Sequence, residues 1–157
     1  MTDSPDGWTA VADAFSPRVA LASLSGESDA AWASAGTPYA GAAFLGGVAL
    51  DEPAREAARA LVARGRSEFL PADPIAFVGR ELDRLSAVPL RAGVNVRSTT
   101  VDPVEEVSSV CAARGAIVEV NAHCRQDELC AVGCGESLLR DGERLCEYVR
   151  AAASTGA

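Results

Sequence analysis

The chain has 157 residues, a length within the usual range of a single domain. Hydrophobic residues make up 48% and charged residues 23%, so the chain can bury a core and is not compositionally disordered. No apolar run reaches the roughly 18 residues that span a bilayer, and the acidic start lacks the basic segment of a secretory signal. We therefore expect a cytoplasmic protein that does not interact with membranes.

The net charge is −8, and all 14 basic residues are arginine. Carboxylates hold water and strong salt screens their repulsion, so this composition is typical of a halophilic, high-salt cytoplasm. A GC-rich genome that replaces lysine by arginine would produce the same composition. The acidic charge argues against a large nucleic-acid surface, because phosphate binding needs a basic patch.

The N-terminal part of the chain is predicted to begin with a lead-in over residues 1–17, with a short helical turn at residues 8–15. A short apolar run at residues 18–24, closed by a glycine, predicts the first buried strand. Residues 28–35 are predicted as a short helix, and residues 39–45 as the second strand, within a Gly- and Ala-rich stretch.

The remaining elements repeat the same alternation of helix and strand. Asp51 is expected to cap a helix that runs to about residue 64, and Asp73 to cap a second helix that ends near residue 85. The prediction ends with two further strands, at residues 90–96 and 116–121, and two further helices, at residues 102–115 and 136–153.

Strand–helix alternation with short loops predicts an α/β fold with a parallel sheet and right-handed crossovers. An open doubly wound sheet and a closed barrel both fit this pattern. No Gly-x-Gly-x-x-Gly follows the first strand, and polar residues fall at strand carboxyl ends, which favours a (β/α) TIM barrel. A whole barrel takes about 250 residues, so we expect residues 18–157 to form its N-terminal half, truncated after four units. Open sheet edges then predict a homodimer or a marginally stable monomer.

The most informative stretch is the predicted fourth strand and the loop that follows it. It ends in Asn121, Ala122, His123 and Cys124, and a Gly-x-Gly segment follows at residues 133–135. A buried structural thiol is one interpretation of Cys124, since free cysteine is often buried. Its position just past a strand end, three residues after Asn121, favours a catalytic role, because barrel enzymes place their sites there. His123, the only histidine, could tune that thiol.

These motifs resemble the dihydrouridine synthase family of flavin enzymes and, more distantly, the dihydroorotate and dihydropyrimidine dehydrogenases. Asn121 and Cys124 keep that family's Asn-x-x-Cys spacing, and residues 133–139 keep its Gly-x-Gly and Leu-Leu positions. Residues 21–26 are similar to its first-strand loop, and Asn95 lies where the family has a glutamine. His123 and Arg125 depart from its Asn-x-Gly-Cys-Pro pattern. The likeness covers the first half of the family's barrel.

The resemblance implies an FMN-dependent oxidoreductase that acts on the C5–C6 bond of a pyrimidine, free or in tRNA. It implies catalytic roles for Cys124, as proton donor, and Asn121, and substrate contacts from His123 and Arg125. The residues expected to contact FMN are Ala22, Ser23, Leu24, Ser25, Asn95 and Asn121. The family's active-site lysine and flavin phosphate site have no counterpart in the matching part.

Two other classes of protein stay open. One is a half-barrel that binds no flavin and serves as an interaction module. The other is a small metal protein built on Cys124, Cys130, Cys134 and His123, for which the signal is weak because no Cys-x-x-Cys pair is present. The remaining two of the five cysteines, Cys111 and Cys146, fall on predicted helix faces and are expected in the core.

Overall fold

A computed structural model describes residues 15–157. The predicted lead-in at residues 1–17 and its helical turn at residues 8–15 lie almost entirely outside the described residues. None of the helices in the described part of the chain is long and apolar enough to cross a membrane.

Four strands form one parallel sheet in the order β1-β2-β3-β4. They are β1 (Ala20–Leu21), β2 (Ala42–Ala49), β3 (Arg91–Arg97) and β4 (Ile117–Val120). Every neighbouring pair is parallel, which confirms the predicted α/β class and the parallel sheet. Among residues 15–157 the sheet is open, since β1 and β4 each pair with one neighbour.

Two strand predictions were wrong in their bounds. The first strand, expected over residues 18–24, ends at Leu21 because the chain turns back on itself: Glu27 and Ser28 both donate their amides to the Leu24 carbonyl. The second strand, expected to end at residue 45, continues to Ala49. At the Gly46-Gly47 pair the register of β2 against β3 shifts locally. Glycine permits this irregularity.

Residues 15–157 contain seven helices, four between the strands and three after β4: α1 (Ala30–Gly36), α2 (Glu52–Ala63), α3 (Pro74–Arg84), α4 (Asp102–Ala112), α5 (Asp127–Ala131), α6 (Glu136–Leu139) and α7 (Gly142–Ser154). The Asp51 and Asp73 caps are confirmed, as their carboxylates accept the amides of Ala54 and Ala76. The single helix predicted over residues 136–153 is wrong. Asp141 caps a new helix there by accepting the Arg144 amide, so α6 and α7 are separate.

Two apolar clusters hold these elements together. The main core joins one face of the sheet, through residues such as Leu45, Val94 and Val96, to side chains of the surrounding helices. The second cluster joins Leu61 of α2 to Leu129 of α5 and to Cys134. Because it includes Ala49 at the last position of β2, this second cluster braces the loops at the carboxyl ends of the strands.

Candidate functional site

Three polar side chains lie buried at the carboxyl ends of β3 and β4. Asn95, Arg97 and Asn121 are 0%, 4% and 4% exposed. Val94 and Val96 point into the main core, so Asn95 and Arg97 lie on the opposite face of β3, since side chains alternate along a strand. Polar groups buried on the face away from the main core, at the strand ends, define a candidate functional site.

Hydrogen bonds connect the two asparagines to the Cys124 loop. Asn121 Nδ2 donates to Asn95 Oδ1 at 3.0 Å. Asn121 Oδ1 accepts the Cys124 amide at 3.1 Å and the His123 amide at 3.4 Å. The structure therefore brings Asn95, Asn121 and Cys124 together, and Asn121 shapes the turn that carries the thiol.

The main chain of Cys124 is also held from its other side. The Glu136 amide donates to the Cys124 carbonyl at 2.9 Å, and the Cys130 thiol donates to the same oxygen at 3.4 Å. Gly135 has φ +63°, and a Cβ at this position would lie 2.2 Å from the Cys124 carbonyl oxygen. Contacts on both sides fix the backbone of this half-buried cysteine.

Arg97 forms a buried ion pair beside the asparagines. Its Nη1 lies 2.7 Å from Glu68 Oε2, and both side chains are almost fully buried. Its Nη2 donates to Ser25 Oγ. Burial raises the pKa of Glu68, although the positive charges of Arg97 and Arg66 oppose that shift.

Sequence reasoning missed this ion pair. The alternation of Asn95 and Arg97 at the end of one strand was a usable signal for Arg97, because both positions share a face. Glu68 lies in a loop, far from Arg97 along the chain, and no spacing or motif marks it.

The loop predicted to contact the flavin lies next to this ion pair. Ser23, Leu24 and Ser25 line a cleft of about 460 Å³ together with residues 65–67 and Glu27. Ser25 is tied to Arg97, whereas Ala22 is exposed at the surface. The Leu24 amide donates to Ser28 Oγ at 2.9 Å, so it is already engaged within the protein.

His123 and Arg125, the predicted substrate contacts, do not join the buried cluster. Both side chains are exposed. The Arg125 side chain is 82% exposed, and its Nε lies 3.6 Å from Glu136 Oε1. Contacts from these residues would be made at the outer surface of the loop.

The cysteines differ in their surroundings. Cys111 and Cys134 are buried, which raises the pKa of each thiol to about 12. The core position expected for Cys111 is confirmed, whereas that for Cys146 is wrong: α7 buries Tyr148 and Ala152 and leaves Cys146 exposed. Within residues 15–157, no group of three or more His, Cys, Asp or Glu side chains could hold a metal ion.

The fold and site define an α/β protein with a four-stranded parallel sheet and a buried polar cluster at its strand ends. No family profile matches the chain, and no solved structure matches it. Over 107 residues the chain is 28% identical to an uncharacterized protein of Methanocaldococcus jannaschii. That match covers 67% of this chain and 42% of the archaeal protein, so the chain spans less than half of that relative's length.

The raised pKa of Glu68 predicts a specific pH dependence of stability. A carboxyl whose pKa is higher in the folded than in the unfolded state contributes most to stability at a pH below its ordinary pKa of about 4.5. This stabilising contribution is lost as the pH rises through the raised pKa of the folded state. The free energy of unfolding of the wild type should therefore fall relative to that of Glu68→Gln as the pH rises from about 4.5. Chemical denaturation from about pH 2 to about pH 8 measures this difference and also covers the acid range of the control.

Asp83→Asn is the matched control, since a hydrogen bond from Arg114 lowers the pKa of Asp83. Its effect has the opposite sign: the wild type should lose stability relative to Asp83→Asn as the pH falls through the lowered pKa. Wild-type and Glu68→Gln stabilities that run parallel over the whole pH range would contradict the burial argument.

Proposed function

We propose that the chain is the N-terminal part of an FMN-dependent oxidoreductase that acts on the C5–C6 bond of a pyrimidine. The hydrogen-bonded series Asn95–Asn121–Cys124 is the single observation that carries this proposal. It joins three residues of the predicted site at the carboxyl ends of two adjacent parallel strands, the end at which barrel enzymes carry their catalytic groups.

The strand order supports the barrel as the parent architecture. Strands that are consecutive in the chain are also neighbours in the sheet throughout, in the order β1-β2-β3-β4. A doubly wound sheet reverses its strand order at a switch point, whereas a (β/α) barrel adds each strand beside the previous one. Residues 18–157 would supply the first four units of such a barrel.

The residues present fit a flavin ring. The amide nitrogen of Asn95 is buried and has no hydrogen-bond partner in the described part of the chain, so it can donate to a ring acceptor. The loop at Ser23–Ser25 borders a cleft beside the ion pair. When bound, FMN would supply the hydride chemistry.

The protein's own contribution is a proton. Reduction of the C5–C6 bond adds a hydride at C6 and a proton at C5, and the Cys124 thiol would donate that proton and become a thiolate that solvent reprotonates. Asn121 acts through the loop: both atoms of its side-chain amide are engaged by the protein, so it is a positioning residue for Cys124.

The proposed partner is a pyrimidine, free or within tRNA, in a cytoplasmic protein. Within residues 15–157, β1 and β4 each have an unpaired edge, which would let a second copy pair with the isolated chain or would leave it marginally stable.

Titration with lumiflavin and with FMN tests the proposal. Lumiflavin carries the ring without the phosphate, so it probes the contacts that this chain would provide even where the phosphate site is lacking. We expect saturable quenching of lumiflavin fluorescence at one ring per chain, with only a small gain for FMN. Fluorescence that does not change up to millimolar protein would contradict the proposal.

A further inference from the structure

Cys124 has a second accessible cysteine beside it. The Cys130 sulfur lies 3.4 Å from the Cys124 carbonyl oxygen, although the two residues are six positions apart in the chain. Both cysteines are half-buried, so small solutes can reach them. The Cys124 side chain packs against the second apolar cluster, to which α5 contributes Leu129. Cys124 therefore lies against the segment of the fold that carries Cys130.

A disulfide between these two cysteines needs only a local movement. It requires the sulfur atoms to approach to about 2.05 Å, with the Cα atoms about 4.4–6.8 Å apart. The Cys130 sulfur already touches the main chain of Cys124, and rotation about the Cα–Cβ bond of Cys124 moves its sulfur while its backbone stays fixed. The helix that carries Cys130, α5, has five residues and no side-chain cap at its start, so it can shift at low cost.

The other three cysteines are less suited to pair with Cys124. Cys111 and Cys134 are buried, which raises the pKa of each thiol to about 12. They therefore stay protonated at neutral pH, and a protonated thiol does not attack another sulfur. Cys146 is exposed on α7 and belongs to neither apolar cluster.

The hydrogen bonds decide which of the two thiols is oxidised first. The Cys130 thiol is held as a donor to the Cys124 carbonyl oxygen. The Cys124 thiol makes no hydrogen bond within residues 15–157, where its main-chain groups alone are engaged. Cys124 therefore offers the free sulfur, and Cys130 is placed to attack it afterwards.

We infer that hydrogen peroxide reversibly oxidises Cys124 and that Cys130 converts the product to a disulfide. The Cys124 thiolate attacks one peroxide oxygen, the O–O bond breaks, and the hydroxide released takes up the thiol proton, which leaves a sulfenic acid and water. The Cys130 thiolate then attacks the Cys124 sulfur, the S–O bond breaks, and a second water forms. One peroxide is reduced to two waters while two thiols become one disulfide, which a thiol reductant reverses.

The disulfide has a consequence for turnover that rests on the proposed function. A bonded Cys124 sulfur carries no proton, so it could not protonate C5 of the pyrimidine. The bond itself needs neither flavin nor pyrimidine, and its formation is measured separately from turnover.

The test is treatment of the full chain with hydrogen peroxide, followed by alkylation, trypsin digestion and mass spectrometry. Trypsin cuts after Arg125 and so separates the peptide 115–125, which contains Cys124, from the peptide 126–140, which contains Cys130. We expect these two peptides to be linked in the oxidised wild type and released by dithiothreitol. Fragmentation of the linked pair shows whether Cys130 or Cys134 carries the bond, without any variant.

Cys130→Ser is the decisive variant, because its hydroxyl can still donate to the Cys124 carbonyl oxygen and thermal melts can confirm its folding. It should lose the linked pair and leave Cys124 as a sulfenic acid that dimedone traps. Cys146→Ser is the matched control: it removes an exposed thiol and should leave the linked pair unchanged. A bond that persists in Cys130→Ser, or a wild type in which Cys124 stays free or proceeds to sulfinic acid, would overturn the inference.

Turnover measured on the same samples separates the inference from the proposed function. A linked pair in a protein that never reduces a pyrimidine upholds the inference and refutes the proposed function. Turnover that stops in the linked protein and returns with dithiothreitol upholds both. Turnover in the reduced protein, with no linked pair after peroxide, overturns the inference alone.

Discussion

Replacing Cys124 by alanine is expected to lower turnover about 10²–10⁴-fold, the usual contribution of general acid catalysis. The thiol would donate the proton to C5, while the contacts to the flavin ring would come from other residues, so flavin affinity should change little. The measurement is the anaerobic reoxidation rate of reduced flavin by uracil at saturating flavin. A full rate in Cys124→Ala, where chemistry limits turnover, would refute the assignment.

The neighbouring cysteine provides a control. Cys130 is also half-buried, and its thiol donates to the carbonyl oxygen of Cys124, which the Glu136 amide also holds. Cys130→Ala should therefore keep most of the rate. Cys134 is a poorer control, because it is buried in the second cluster and its replacement should lower stability. Parallel loss of activity and metal content in all three variants would favour a metal protein instead.

Gly135→Ala is expected to disturb the site most strongly through the backbone. Gly135 has φ +63° and ψ −135°, outside the left-handed helical region, and this sparsely populated conformation costs a residue with a Cβ about 1–3 kcal/mol. The clash with the Cys124 carbonyl adds the roughly 1–3 kcal/mol of overpacking. We expect a loss of about 2–6 kcal/mol in the free energy of unfolding, together with a shift of the Cys124 loop. Urea denaturation and the amide NMR shifts of residues 121–126 measure the two effects.

Gly65→Ala separates the two causes. Gly65 also has a positive φ, +85°, but nothing lies within 4 Å of the position that its Cβ would take. It should therefore cost only the backbone part, about 1–2 kcal/mol, and leave the Cys124 loop in place. Equal losses in both variants would show that the contact between Gly135 and Cys124 contributes nothing.

Much of the fold could be predicted because it depends on local patterns. Four short apolar runs separated by capped helices indicate a parallel sheet, and the Asp51 and Asp73 caps are local as well. The bounds of β1 could not be predicted, because the turn after it depends on the Ser28 hydroxyl bonding to Leu24 and to Gly46 of the next strand. The break between α6 and α7 reflects the competition of Asp141 as a cap with a continuous apolar pattern.

The candidate site likewise has a part that local sequence motifs could predict and a part that depends on tertiary packing. Asn121 and Cys124 are three residues apart, so one motif could mark both, and their hydrogen bond is local. The ion pair between Arg97 and Glu68 joins a strand end to a distant loop, and the burial of both groups follows from tertiary packing alone. The exposed position of Cys146 likewise depends on which face of α7 meets the main core.

Anaerobic mixing of the flavin-reduced protein with uracil tests whether the protein reduces a pyrimidine. We expect the flavin absorbance to return as the pyrimidine is reduced, with one dihydropyrimidine formed for each flavin reoxidised. Flavin that stays reduced while bound, with both uracil and a uridine-containing tRNA present in excess, would contradict it.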